Sequence, residues 1–296
     1  MPILGIVASS LRRISDGTTW TQRTLPATRS WNSVGFGSST FVTVGTNSSS
    51  AATSTNGITW TQRTLPVSTP WISVTFGAST FVAVSNNTTI AATSTDGITW
   101  TQRTLPVSAL WTSVTFGAST FVAVAKNGTT AATSADGITW TQRTMPVFQN
   151  WISVTFGAST FVAVSQSSTV AATSADGITW TQRTLLGSEN VWTSVTFGAS
   201  TFVAVSQSST VAATSADGIT WTQRTLPVSA SWQSVTFGGK TFVAVAQGST
   251  IAATSTDGIT WTQRTLPVSS EWVSVGFGAG IFVAVATGTT IAATSP

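Results

Sequence analysis

From Trp71 the chain alternates apolar and polar positions, Trp71-Ile72-Ser73-Val74-Thr75-Phe76, and then breaks at Gly77-Ala78-Ser79. A period of two in a segment rich in β-formers predicts a half-buried strand. Phe81-Val82-Ala83-Val84 is apolar without alternation, as expected of a strand covered on both faces. After the polar stretch Ser85-Asn86-Asn87-Thr88 comes the small apolar segment Ile90-Ala91-Ala92-Thr93. Asp96-Gly97 then reads as a two-residue hairpin turn with positive φ at both positions. The last segment, Ile98 to Thr104, is polar. Nothing in the pattern has helical periodicity, so about 40 residues predict one four-stranded antiparallel meander.

That unit recurs. Asp-Gly-Ile-Thr-Trp-Thr-Gln-Arg-Thr, or a near copy, begins at Asp16, Asn56, Asp96, Asp136, Asp176, Asp217 and Asp257, with a spacing of 40 residues and one step of 41. Self-similarity at this period marks a repeat architecture. The gradient from apolar second strand to polar fourth strand orders the unit from inside to outside, as in a β-propeller blade. The ends of the pattern are complementary: it opens on a fourth strand (Thr18 to Thr24) and stops after a third (Ile291 to Ser295). An open solenoid would instead carry polar capping repeats. The expected fold is therefore all-β: a seven-bladed β-propeller of four-stranded antiparallel blades, closed by the N-terminal strand completing the last blade. Residues 16–296 form the propeller, and 1–15 an N-terminal arm or peripheral strand.

The phrase Ser94-Thr95-Asp96-Gly97-Ile98-Thr99-Trp100 resembles the Asp-box of BNR-type propellers, which occur in sialidases and in phage tail and bacterial surface proteins. It departs from the family pattern in having Asp and Gly adjacent, which favours a plain hairpin over the full Asp-box loop. In that family the box is a fold element away from catalytic centres, so the resemblance implies a propeller and carries no activity with it.

Composition narrows the chemistry. Charged residues are 7% of the chain, and Cys, His and Tyr are absent. Sialidase chemistry needs a tyrosine nucleophile, so that reading fails. Six of the eight acidic residues sit in the Asp-Gly turns, leaving Glu189 and Glu271 two repeats apart, too dispersed for the paired carboxylates of a glycosidase. Those turn acids read as structural rather than as calcium ligands, each site offering too few carboxylates. No cofactor, metal site or catalytic residue is expected, and the chain reads as a non-enzyme. The fourteen Trp, two per repeat, read as core. The net charge of +4 invites nucleic acid; yet one Arg per repeat is dispersed, not gathered on a face, so no nucleic-acid partner is expected. No apolar run is long enough to span a membrane, and the N-terminus lacks the order of a signal peptide.

The copies differ mainly in the loops from second to third strand and from fourth to first, which emerge on one face, with the residues before each first-strand Trp near the mouth of the central channel. Loops on rigid frames carry function. The strongest departures give the expected ligand-binding residues: Phe148, Gln149, Asn150, Glu189 and Asn190, flanked by Lys126 and Gln166. An aromatic ring among amides and a carboxylate suits a sugar. The expectation is a non-catalytic, receptor- or carbohydrate-recognition propeller on a virion or cell surface, its partner a glycan or protein receptor. The alternative is an assembly module docking to other proteins through that face or through residues 1–15.

Overall fold

The computed structural model describes residues 15–46, 48–166, 168–187 and 190–296; the N-terminal arm, residues 1–14, lies outside them. The strands Trp31–Gly37, Thr40–Gly45, Ser48–Ser54 and Thr61–Thr69 form one antiparallel sheet in that order. The same order repeats along the chain. In places the outer strand runs without a break into the next inner one, as in Thr101–Gly117 and Thr222–Gly238. The burial pattern explains the order: Thr40–Gly45 is buried along nearly its whole length, whereas Thr61–Thr69 is largely exposed. The fold is an all-β propeller of four-stranded antiparallel blades.

The ends meet as the sequence implies. Thr21–Arg29 pairs antiparallel with Thr289–Ser295, with Thr21 opposite Thr294 and Thr24 opposite Ile291. The sheet containing Trp272–Gly278 is therefore completed by the strand that precedes all the others.

Blades are joined by hydrogen bonds as well as by packing. The Val74 N–H donates to Ser33 Oγ at 3.1 Å, Val114 to Ser73 at 3.1 Å, Val154 to Ser113 at 3.2 Å and Val195 to Ser153 at 3.2 Å. Val235 bonds Ser194 at 3.2 Å, Val275 bonds Ser234 at 3.1 Å, and Val34 returns to Ser274 at 3.2 Å. This chain of bonds closes on itself. It satisfies backbone N–H groups on the innermost strands that no neighbour within the blade can reach.

The core lies between blades. Val82, Val84 and Ala91 of one blade pack with Trp111, Phe121, Ala132 and Trp140 of the next. At the closure, Val283, Val285 and Ala292 meet Leu25, Trp31, Phe41 and Trp60 in the same way. Both Trp of each repeat are core residues, the first-strand set fully buried and the fourth-strand set nearly so.

The turns depart from expectation in an informative way. Gly97 has φ of +76° but Asp96 is not in the left-handed region, so Asp-Gly does not form the two-residue turn. The closing pair is Thr93 opposite Thr101, and side chains hold the longer loop between them. Asp96 Oδ1 accepts from the Ile98 N–H at 2.8 Å, the Thr99 N–H at 3.0 Å and Ser94 Oγ at 2.9 Å. Ser94 Oγ in turn accepts from the Gly97 N–H at 2.8 Å, and Trp100 Nε1 donates to the Gly97 carbonyl at 2.9 Å. A short side chain that caps following amides competes well with a tight hairpin.

The two-residue turn with both φ positive is instead Ala78-Ser79, at 44° and 57°, between the paired Gly77 and Thr80. Left-handed backbone disfavours any residue with a Cβ. Replacing Ala158-Ser159 by Asn-Gly is therefore expected to stabilise the protein by about 1 kcal/mol, read as a rise in melting temperature.

Bonds to the turn carboxylates also set a pH response. Backbone N–H donation holds the Asp96, Asp136, Asp176 and Asp217 carboxyls below their ordinary value of 3.8. A depressed folded-state value means stability that is present above 3.8 and lost as pH falls through the lower folded value. Melting temperature should fall most steeply below that pH. Asp136→Asn should flatten the profile, because Asn56 makes the equivalent bonds to the Ile58 and Thr59 N–H groups without charge, at 2.9 Å and 3.0 Å.

Candidate axial site

A bulge follows each first-strand Trp: Trp71 lies opposite Ser85 and Ser73 opposite Val84, so that Ile72 is the extra residue, and such a residue leaves the regular alternation of faces and bends the strand. Asn32, Ile72, Thr112, Ile152, Thr193, Gln233 and Val273 surround a cavity of about 420 Å³ at the mouth of the channel. The loops between second and third strands add Asn86, Lys126, Gln166 and Gln207. Loops from fourth to first strand open on the same face: the Asn86 N–H donates to the Pro70 carbonyl at 2.8 Å and Gln166 to that of Asn150 at 2.9 Å.

Most polar side chains here are engaged by the ring itself. Asn32 Nδ2 donates to the Trp71 carbonyl at 2.8 Å and Asn86 Nδ2 to that of Trp111 at 2.8 Å. Thr112 Oγ1 donates to the Trp151 carbonyl at 2.7 Å and Thr193 Oγ1 to that of Trp232 at 2.9 Å. Gln233 Nε2 donates to Gln247 Oε1 at 2.8 Å, and Gln207 Nε2 to Ser231 Oγ at 3.0 Å. Among the described residues, Lys126 and Gln166 are the lining side chains with hydrogen-bonding groups that find no partner of this kind. Lys126 is also the one charged residue of the lining. Burial lowers the Lys126 ammonium from the ordinary lysine value of 10.5, since desolvation disfavours the charged form.

Of the expected ligand-binding residues, Lys126 and Gln166 come together in this cavity. Asn150 supports both loops: its Oδ1 accepts from the Asn127 N–H at 3.1 Å and its carbonyl from Gln166. Phe148 is 70% exposed and is not part of the lining. Gln149 pairs opposite Gly128 at the end of an outer strand. Asn190 folds onto its own loop, its Nδ2 donating to the Leu186 carbonyl at 3.1 Å, and Glu189 lies outside the described residues. Sequence reasoning missed the ring of residues following each Trp. Its signal was there: Asn, Ile, Thr, Ile, Thr, Gln and Val succeed the Trp in a strand otherwise nearly constant.

No protein-family model matches the chain, and none of the curated proteins does. Solved structures match the fold. A catalytically inactive virginiamycin B lyase from Staphylococcus aureus, with a histidine replaced by alanine and with quinupristin, superposes with a TM-score of 0.84 at 11% identity, covering 94% of this chain and 99% of the other. YCF48 bound to D1 peptide gives 0.74 at 17% identity over 97% and 99%. YCF48 from Cyanidioschyzon merolae gives 0.72 at 15% over 93% and 98%. At these identities the likeness is one of fold.

These neighbours correct the functional expectation. The fold is shared with streptogramin B lyases, which are enzymes, so a propeller of this shape does not imply a non-catalytic scaffold. The reading as a non-enzyme and a non-catalytic receptor- or carbohydrate-recognition module is withdrawn. Among the described residues no helix is long and apolar enough to cross a membrane.

Proposed function

We propose that the chain is a seven-bladed propeller built on a variant Asp-box repeat, and that its axial cavity is a ligand site for a small peptide-class anion, Lys126 being its charged and proton-exchanging group. The seven Val-to-Ser bonds of the inner ring support the blade number. The Ser94, Asp96, Gly97 and Trp100 bonding supports the repeat type. The single observation carrying the ligand class is that Lys126 and Gln166, adjacent donors, stay available while the other lining polar groups hold the ring. An ammonium beside an amide matches a carboxylate and a neighbouring carbonyl. Ile72, Ile152 and Val273 offer apolar wall to the rest of the molecule. That a fold neighbour was solved with a peptide supports the class. Any turnover at this site is assigned to the Lys126 amine, the one charged group of the lining, whose proton affinity is lowered by burial.

Titration calorimetry with short acidic peptides tests the reading. Lys126→Met should weaken binding at least about tenfold, the scale of one charge-assisted bond, while Lys240→Met, in an exposed turn on the opposite face, should leave it unchanged. Affinity should decline as pH rises toward 10.5, starting earlier than for an ordinary lysine. Equal binding by the Lys126 variant sinks the assignment. Peptide conversion, followed by mass spectrometry, that survives in that variant sinks the role in turnover.

A further inference from the structure

In every other blade the outer strand is held covalently at both ends, by the Ser-x-Asp-Gly turn behind it (Ser-x-Asn-Gly at Ser54) and the next inner strand ahead. In the closing blade the turn is split. Ser295 stands at the end of the third strand, while Asp16 and Gly17 arrive from the opposite end of the sequence. At five of the other six turns the equivalent serine both donates to the aspartate and accepts from the glycine, as Ser134 does with Asp136 at 3.0 Å and Gly137 at 2.8 Å; at the sixth, Ser54 donates to Asn56 at 3.1 Å. Ser295 does neither: its Oγ is buried with no hydrogen-bond partner. Only its carbonyl is met, by Ser15 Oγ at 3.0 Å. A buried hydroxyl without a partner is a local weakness, and it sits at the seam. The strand beyond does not follow on from the third strand of its own blade, and Trp20 and Leu25 anchor it in the neighbouring core clusters.

The slot itself is generic. Thr21-Gln22-Arg23-Thr24 pairs with Thr294, Ala293, Ala292 and Ile291. Thr262-Gln263-Arg264-Thr265 pairs with Thr254, Ala253, Ala252 and Ile251 in the same register. Nothing in the slot distinguishes its own closing strand from an identical one on another molecule.

We propose that the outer position of the closing blade is a strand-acceptor site, and that its partner is the closing strand of a second copy of this chain, exchanged reciprocally about the connection at Ser30. Each copy then places its Trp20 and Leu25 in the other's core, preserving every contact of the closed ring.

The test uses the full chain and a fluorescent peptide of residues 15–28. Three proteins are compared below their melting temperatures: wild type, a Gln22→Cys/Ala293→Cys pair that ties opposed residues together (the chain has no other Cys), and Leu25→Ala, which loosens the native strand. Capture should be saturable and at one site per chain, at least about tenfold greater for wild type than for the oxidised pair, and faster for Leu25→Ala. A peptide carrying the Trp20→Ala and Leu25→Ala changes should not be captured. Concentrated wild-type protein should form dimers on gel filtration with light scattering, and the oxidised pair should stay monomeric. Equal capture by the three proteins overturns the proposal, as does no capture under conditions where hydrogen exchange shows the closing strand opening.

Discussion

Gly157→Ala is expected to destabilise the protein by about 3 kcal/mol, at the upper end of what overpacking a core costs. The glycine ends an innermost strand, and a Cβ built there would lie 1.9 Å from Cγ of Phe197 on the next blade. That ring cannot yield, because it packs at 4.7 Å against Phe202, itself fully buried. The strain must pass into the backbone or into the spacing of two blades, and close-packed interiors transmit such strain. Gly128 provides the control. A Cβ at that position meets nothing closer than 3.8 Å, and its φ is not in the left-handed region. Gly128→Ala should therefore be neutral or slightly stabilising through the unfolded chain. Urea unfolding of the two variants checks the pair: the midpoint should drop for Gly157→Ala with an unchanged slope. Equal stability would mean that the blades can move apart at no cost.

Trp232→Ala should cost about 3–5 kcal/mol, the range for truncating a fully buried aromatic side chain. Trp232 is 0% exposed and packs with Val203 and Val205 of the preceding blade and Phe242 of its own. A finer comparison separates packing from hydrogen bonding. Trp71 Nε1 donates to the Val67 carbonyl at 3.1 Å, whereas Trp192 Nε1 is buried without a partner. Replacement by Phe removes similar volume at both positions, but at Trp71 it also removes a satisfied bond. Trp71→Phe should thus be worse than Trp192→Phe by about 1 kcal/mol, measured in paired denaturant titrations. The reverse order would show that the indole nitrogen at Trp192 is bonded in solution.

The fold was legible because the repeat writes the same physical demands many times over. An apolar second strand, a polar fourth strand and two complementary partial units leave little choice but closure. The variable face was legible too, since substitution between copies marks the loops that packing leaves free. The turn chemistry was not. Asp-Gly is a strong hairpin signal taken alone, yet Ser94 and Asp96 outcompete the tight turn by capping the amides around them, while Ala78-Ser79 is pressed into left-handed backbone by the strands it joins. The axial residues were legible only in part. Lys126 and Gln166 stood out as loop residues, but Thr112 and Ile152 sit at strand bulges, which the alternation of apolar and polar residues does not mark. Phe148, the one Phe outside the repeat pattern, is exposed and does not line the axial cavity. The inference from missing catalytic groups to a passive scaffold failed for a different reason. It relied on what familiar active sites contain, and a fold that also serves lyases does not share that restriction.

The circuit of valine amides and serine hydroxyls gives the molecule a fixed circumference. Each hydroxyl answers to the blade downstream, and the last answers to the first, so the angle between any two neighbours is shared by all of them. Gaining or losing one copy of the repeat could not be absorbed locally, as it could in an open stack; every junction would have to bend at once.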